Sequence, residues 1–352
     1  MNGIERKDRI IYLDFLRIAA CFAVIALHVA ASGFEGAAVG SYRWNVFNII
    51  DSAVRCAVPV FVMISGSVFL DPKKEIGLKT LFGKYVLRMA VAFVFWSGLY
   101  AAVQYFEGVR LRTVANNFVT GGSHLWFLYM IAGLYVVSPL LRKITESKKT
   151  TYYFLALWVA SSVLYNTLSA FASVLAPRLA PWLDAAASET SLYLAYGYTG
   201  FFVLGRFLHE NDLPKNIRRL IYILGLAGAA FTVVATLFSS VKNGMLNTVF
   251  YNNMSVGVAL EAVGVFVFFK YNVRGKVSEK TEKILARASK CTFGMYLIHL
   301  MIIDHFDKIV GFGIKSFDPI LSFLAVFCVV TVCSAAVSFI LNLIPGIKKY
   351  LV

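Results

Sequence analysis

The sequence predicts an all-α, polytopic membrane bundle of about ten transmembrane helices, with both termini cytoplasmic. Three observations carry this. The chain is 59% hydrophobic and only 15% charged, against roughly 45–50% and about 25% in soluble domains. Apolar windows of about 20 residues, long enough to cross a bilayer as a helix, recur along its 352 residues. Lys and Arg gather in the short stretches between those windows, alternately many and few.

The windows lie near 10–32, 44–69, 82–106, 124–141, 151–171, 191–209, 220–240, 250–270, 291–308 and 318–344. With the N-terminus inside, the cytoplasmic segments hold 25 of the 34 Lys and Arg residues and the outer segments seven. The inner set includes Arg6, Lys7, Arg9, Arg274 and Lys276, while Arg17 and Arg55 are intramembrane. This asymmetry orients the chain. Loops of at most about 20 residues leave no room for a soluble catalytic domain, so 1–352 reads as a single membrane domain. The net charge of +15 implies no nucleic-acid partner, since no basic run is interleaved with aromatics. The small residues Val29, Ala30, Ala31 and Ser32 resemble a signal-peptide cleavage site. The hydrophobic region before them is too long and too charged for one, and the first span is kept.

The first span contains Asp14, Arg17 and His28. At 100° per residue, Arg17 and His28 fall on nearly the same face, roughly 16 Å apart along the axis, and Asp14 lies one turn before Arg17. A charge at the bilayer centre costs about 2.5–3.5 kcal/mol on insertion scales, so this stripe is expected to line a cavity within the bundle. On the second span, Asp51 and Arg55 are four apart and pair on one face. They read either as a buried ion pair locking helices or as a second contribution to that cavity. Lys84 and Arg88, also four apart, open the third span. Snorkelling at the inner interface and binding of a phosphate-bearing ligand both suit them.

His124 opens the fourth span beside Trp126, in an aromatic-belt pattern that leaves the histidine solvated at the outer edge. Tyr129 and Tyr135 lie deeper and need hydrogen-bond partners, as does Glu261 in mid-span. His299, near the middle of the ninth span, is not expected to face lipid, and Asp304 and His305 close that span. The five cysteines, Cys21, Cys56, Cys291, Cys328 and Cys333, all fall in spans and read as small packing residues. There is no HExxH, Cys/His cluster, P-loop, GxSxG or GxGxxG motif. No metal is expected, and no soluble hydrolase motif is present.

Four motifs resemble the acyltransferase 3 family of bacterial integral-membrane O-acyltransferases: Tyr12-Leu13-Asp14-Phe15-Leu16-Arg17 followed by His28; Pro59-Val60-Phe61 with Ser65-Gly66; His124-Leu125-Trp126-Phe127-Leu128; and Gly294-Met295-Tyr296-Leu297-Ile298-His299. The resemblance implies a ten-helix bundle in the bacterial inner membrane. An acyl group, acetyl above others, would move from cytoplasmic acyl-CoA to a hydroxyl of an extracytoplasmic cell-envelope glycan or lipid-linked sugar. It also implies activity at Arg17 and His28. The family's paired arginines at the start of the third helix correspond here to Lys84 and Arg88, with Tyr85 in place of the first arginine. Many relatives carry a fused periplasmic domain, which is not found in this chain.

In the resulting scheme, Lys84 and Arg88 hold the CoA phosphates and Asp14 orients Arg17. His28 is the general base, Arg17 or Arg55 offsets the oxyanion, and His299 completes the site. A transporter or flippase of a glycan or lipid-linked intermediate is the alternative on physical grounds. A non-catalytic assembly subunit fits less well, because it needs no polar cavity.

Overall fold

The computed structural model describes residues 10–74, 76–122, 124–273 and 278–352. Arg6, Lys7, Arg9, Arg274 and Lys276 lie outside them. Every regular element among the described residues is helical. Eight helical segments are long and apolar enough to cross a membrane.

The first, α1 (Ile11–Ser32), runs unbroken for 22 residues, about 33 Å at 1.5 Å per residue. It is the hub of the bundle. The predicted second span is not one helix: α2 (Tyr42–Ser52) and α3 (Ala57–Phe69) are separated by a turn at 53–56. Pro59 explains the break. It has no N–H for the carbonyl four residues earlier, and its ring crowds that carbonyl, which belongs to Arg55. Ser41 caps α2, its Oγ accepting from Trp44 N–H at 3.3 Å.

The third span joins α4 (Leu78–Thr80), a π-helical stretch (Leu81–Val86) and α5 (Leu87–Phe106). It leads to the short α6 (Leu111–Thr120), which ends in two consecutive left-handed glycines, Gly121 (φ 82°) and Gly122 (φ 57°). Only glycine adopts this conformation without strain, and the reversal carries His124 back beneath α7 (Trp126–Thr145). The chain continues through α8 (Lys148–Trp158), a second π-helical stretch (Val159–Leu164), α9 (Tyr165–Leu175) and α10 (Ala180–Ser188).

The predicted span 191–209 becomes a 3-10 turn (Tyr193–Ala195) and a 13-residue helix, α11 (Tyr198–Glu210). At about 20 Å, α11 is shorter than the hydrocarbon core. It is instead clamped against α3: a Cβ at Gly66 would lie 1.8 Å from the Phe202 carbonyl, and one at Gly205 2.1 Å from that of Met63. Small residues here let two backbones touch, as membrane helix pairs commonly do.

After α12 (Lys215–Asn243) and α13 (Val256–Asn272) comes α14 (Glu279–Asp304). It begins about a dozen residues before the predicted span 291–308, because Ser278 caps it and its first three turns are charged and mostly exposed. Its last half is buried against α1. The chain closes with α15 (Phe306–Val310), α16 (Pro319–Leu343) and α17 (Pro345–Tyr350). Cys21 and Cys56 are packed inside as expected. Cys328 and Cys333 are not core residues, because α16 turns them outward.

Candidate active site

At one end of the bundle, α1 and α14 build a three-member polar cluster. Arg17 Nη1 donates to Asp14 Oδ1 at 3.3 Å and to Ser289 Oγ at 3.1 Å, while Ser289 Oγ donates to Asp14 Oδ1 at 2.6 Å. Asp14 is buried and the Arg17 side chain is one-third exposed. The exposed part of Arg17 lines a cavity of about 440 Å³, joined by Arg88, Lys290 and Lys348. These four cations put guanidinium forks and ammonium groups at one mouth, the donor types that match phosphate oxygens. Farther in, the walls are Val24, Val58, Phe61, Phe127, Ile131 and Tyr296, with Ser65 and Tyr135 as the polar exceptions. This is an apolar throat behind a basic entrance.

The expected pairing of Lys84 with Arg88 does not form. The π-helical turn before α5 shifts the phase of the helix. Lys84 stays exposed, its ammonium 5.3 Å from the Tyr85 ring, and it is not among the cavity-lining residues. Arg88 does face the cavity. Its Nη2 donates to the backbone oxygen of Val352 at 2.6 Å and its guanidinium carbon lies 5.1 Å from the Phe293 ring centre. Lys290 and Lys348, not singled out from sequence, supply the remaining charge.

Toward the other end, three imidazoles from distant parts of the chain meet. The ring centre of His28 is 5.1 Å from that of His299 and 6.4 Å from that of His124, and His124 and His299 are 5.3 Å apart. His124 is therefore not solvated: it is 4% exposed, and its Nε2 lies 3.3 Å from the Leu297 carbonyl. His299 is fully buried, with Nδ1 2.6 Å from the Tyr296 carbonyl. A carbonyl only accepts, so this contact places the proton on Nδ1 and leaves Nε2 a bare lone pair. That Nε2 has no partner among the described residues. His28 is half-buried, and neither it nor His299 is among the residues lining the main cavity, so the expected stripe meets that cavity at Arg17 but not at His28. Among the described residues, no group of three or more His, Cys, Asp or Glu is arranged to hold a metal ion.

Tyr296 connects the two ends. Its ring lines the cavity and lies 5.5 Å from His124 and 6.0 Å from His299, and its hydroxyl donates to the His124 carbonyl. Tyr100 pins the same turn of α14, donating to the Leu297 carbonyl at 3.0 Å and accepting from Met301 N–H at 3.1 Å. His124 also lines a second, smaller pocket between α5, α6 and α14.

Arg55 sits in the break between α2 and α3 and does not line the main cavity. It donates to Asp51 Oδ2 at 2.8 Å and lies over the Tyr251 ring at 4.1 Å. Tyr251 in turn donates to Asn48 Oδ1 at 2.6 Å. Glu261, in the same region, neighbours the Cys56 thiol, and its Oε2 has no hydrogen-bond partner among the described residues. Tyr129, placed deep by the sequence, is half-exposed and donates to the Val119 carbonyl at 2.6 Å. Tyr135 is stacked on Phe69 with ring centres 4.0 Å apart.

Residues 10–340 match the acyltransferase 3 family model, described as an acyltransferase domain. No curated protein and no solved structure matches the chain. A family match over nearly the whole chain and an all-helical architecture with eight helical segments long and apolar enough to cross a membrane agree with one another. The chain belongs to the acyltransferase 3 family of membrane acyltransferases.

Proposed function

We propose that this protein transfers an acyl group, acetyl in the first instance, from cytoplasmic acyl-CoA to a hydroxyl of an extracytoplasmic cell-envelope glycan or lipid-linked sugar, working as one domain in the bacterial inner membrane. The observation that carries this reading is a four-cation mouth with an apolar throat around the Arg17 end of α1 and a histidine cluster around its His28 end, with Tyr296 in the wall of the throat and beside two of the histidines. The cations Arg17, Arg88, Lys290 and Lys348 suit the phosphates of the donor. The apolar throat suits its uncharged pantetheine arm, and both termini and the basic mouth would face the cytoplasm.

His28 takes the proton of the attacking hydroxyl as the new C–O bond forms. The thioester C–S bond then breaks, and the CoA sulfur leaves with a proton returned by the imidazolium. His299, its Nε2 bare and beside His28, is placed to share that proton. Distance divides the work of the arginines. Arg17 is about 16 Å below His28 along α1, too far to meet an oxyanion that needs donors within about 3 Å. Arg17, steadied by Asp14 and Ser289, grips the donor, and Arg55 offsets charge near His28.

The test is acetyl transfer and acetyl-CoA binding by the purified protein in proteoliposomes, wild type against His28→Ala. Removing a general base costs roughly 10²–10⁴-fold in rate. Lost transfer with acetyl-CoA binding retained supports the proposal, and full transfer by the variant refutes the role of His28. One observation favours transport instead: the unwound break at 53–56 beside a buried charge, a feature of transporter binding sites. Movement of a glycan across the vesicle without acylation would decide for that reading.

A further inference from the structure

We propose that the groove between α14 and α16, at the basic end of the bundle, binds an anionic phospholipid of the adjoining leaflet. Arg287, Lys290 and Lys348 hold its phosphate, and its acyl chains lie along Phe339 and Leu343. The two helices are locked where Gly294 meets Ser338. A Cβ at Gly294 would lie 2.4 Å from Ser338 Oγ, and that hydroxyl donates to the Cys291 carbonyl at 2.7 Å. Nearer the basic end a groove opens between them, lined from α14 by Arg287, Lys290 and Cys291 and from α16 by Phe339, Asn342 and Leu343. The chain leaves α16 through one extended residue, Ile344 (φ −91°, ψ 113°), and α17 brings Lys348 to the same groove.

The polar half of the groove is cationic and uncompensated. Arg287 and Lys290, three apart, share one face of α14. All three cations are exposed, none makes an ion pair among the described residues, and no acid lines the groove. One turn before Arg287, by contrast, Lys283 is paired with Glu279 at 3.2 Å. Like charges drawn together from two helices repel one another, and a phosphate among them turns that repulsion into charge-assisted hydrogen bonds. Asn342 Nδ2 donates to the Ser338 carbonyl at 2.9 Å, which leaves Oδ1 to accept from a headgroup hydroxyl.

The apolar half decides between a lipid and a soluble phosphate. Phe339 and Leu343 are exposed on α16, a helix long and apolar enough to cross a membrane, so this wall runs on into the hydrocarbon. A phosphate trailing acyl chains satisfies both halves, whereas a free phosphate leaves the apolar wall unused. Basic pockets between membrane helices on the cytoplasmic side suit such headgroups, and this is the end expected to be cytoplasmic. Lys290, Asn342 and Lys348 also line the main cavity, so the headgroup sits beside the mouth and engages two of its four cations. Arg287 lines the groove and not the cavity, which lets the site be tested without touching the mouth.

The experiment is native mass spectrometry of the full-length protein in a neutral detergent, titrated with dioleoyl phosphatidylglycerol, dioleoyl phosphatidylcholine or glycerol 1-phosphate. Phosphatidylglycerol is expected to bind at least about tenfold more tightly than phosphatidylcholine, whose choline the cations repel, and than glycerol 1-phosphate, which lacks the acyl chains. Arg287→Gln is expected to weaken phosphatidylglycerol binding about fivefold. Lys283→Gln, the same change of charge one turn away on α14, is expected to leave it unaltered. Equal affinity for the two lipids overturns the proposal, as does a loss in Arg287→Gln no greater than that in Lys283→Gln. Equal binding of glycerol 1-phosphate overturns the lipid in favour of a soluble phosphate. A dimer that persists with no lipid bound assigns the groove to a second copy of the chain. None of these measurements depends on turnover, so the acyltransferase reading stands or falls separately.

Discussion

Ser289 turns the Asp14–Arg17 pair, which helical spacing alone suggests, into a three-way cluster reaching from α1 to α14. A charge-assisted hydrogen bond contributes about 1.5–3 kcal/mol. Arg17→Ala is therefore expected to weaken acyl-CoA binding by roughly 10–100-fold with little change in the rate of the bound complex, as read by isothermal titration and single-turnover kinetics. A fall in rate with affinity intact would place Arg17 at the reacting carbonyl instead. The Asp51–Arg55 pair is of another kind, with Asp51 buried and the Arg55 side chain 19% exposed. Removing one partner of such a pair strands the other charge, at about 3–5 kcal/mol when both are fully enclosed and less here. Asp51→Ala should lower the thermal unfolding temperature in detergent. Asp51→Leu with Arg55→Met should recover most of the loss, and failure of the double variant to recover would show that the pair is not simply structural. The pairings at three and four residues were readable from sequence because they are local. Ser289, Lys290 and Lys348 were not, since nothing in the first 30 residues indicates what lies across from them.

At the scale of elements, backbone departures from regular helix decide which side chains reach the site. Pro59 breaks the second span at Arg55 and the π-helical turn at Leu81–Val86 parts Lys84 from Arg88. Twin left-handed glycines swing His124 inward. The Pro59 break is legible in retrospect from one residue, whereas a π-helical turn has no comparable mark in the sequence. The α3–α11 contact gives a sharp test. A methyl at Gly66 would overlap the Phe202 backbone, which cannot rotate away as a side chain would. Gly66→Ala should thus cost at least about 1–3 kcal/mol. Gly133→Ala in α7, where a Cβ meets nothing within 4 Å, should be neutral or stabilising by up to about 1 kcal/mol. Differential scanning fluorimetry of the two variants in one detergent settles this, and equal melting temperatures would contradict the close-packing account.

For the whole molecule, the charge asymmetry and the cavity point the same way. Arg88, Lys290 and Lys348 open on the end expected to be cytoplasmic, with the histidines at the other end. Acetyl-CoA supplied outside inside-out membrane vesicles should be turned over, and the same donor supplied outside right-side-out vesicles should not. Equal turnover in both would reverse or abolish the proposed orientation. The gap between mouth and histidines also requires the donor to be long and flexible, so a truncated acetyl thioester without the nucleotide should react far more slowly at equal concentration. That follows because the cations would no longer hold it in place.

By itself the sequence determined the class of the molecule, the approximate spans and the polar stripe of α1, because hydropathy and a 100° turn per residue are local properties that survive in a linear text. Only the tertiary structure decided that His124 leaves the aqueous edge, that three histidines from positions 28, 124 and 299 share one site, and which cations guard the cavity. Those meetings depend on helix packing and on the direction each turn imparts. Neither is written in the spacing of residues along one helix.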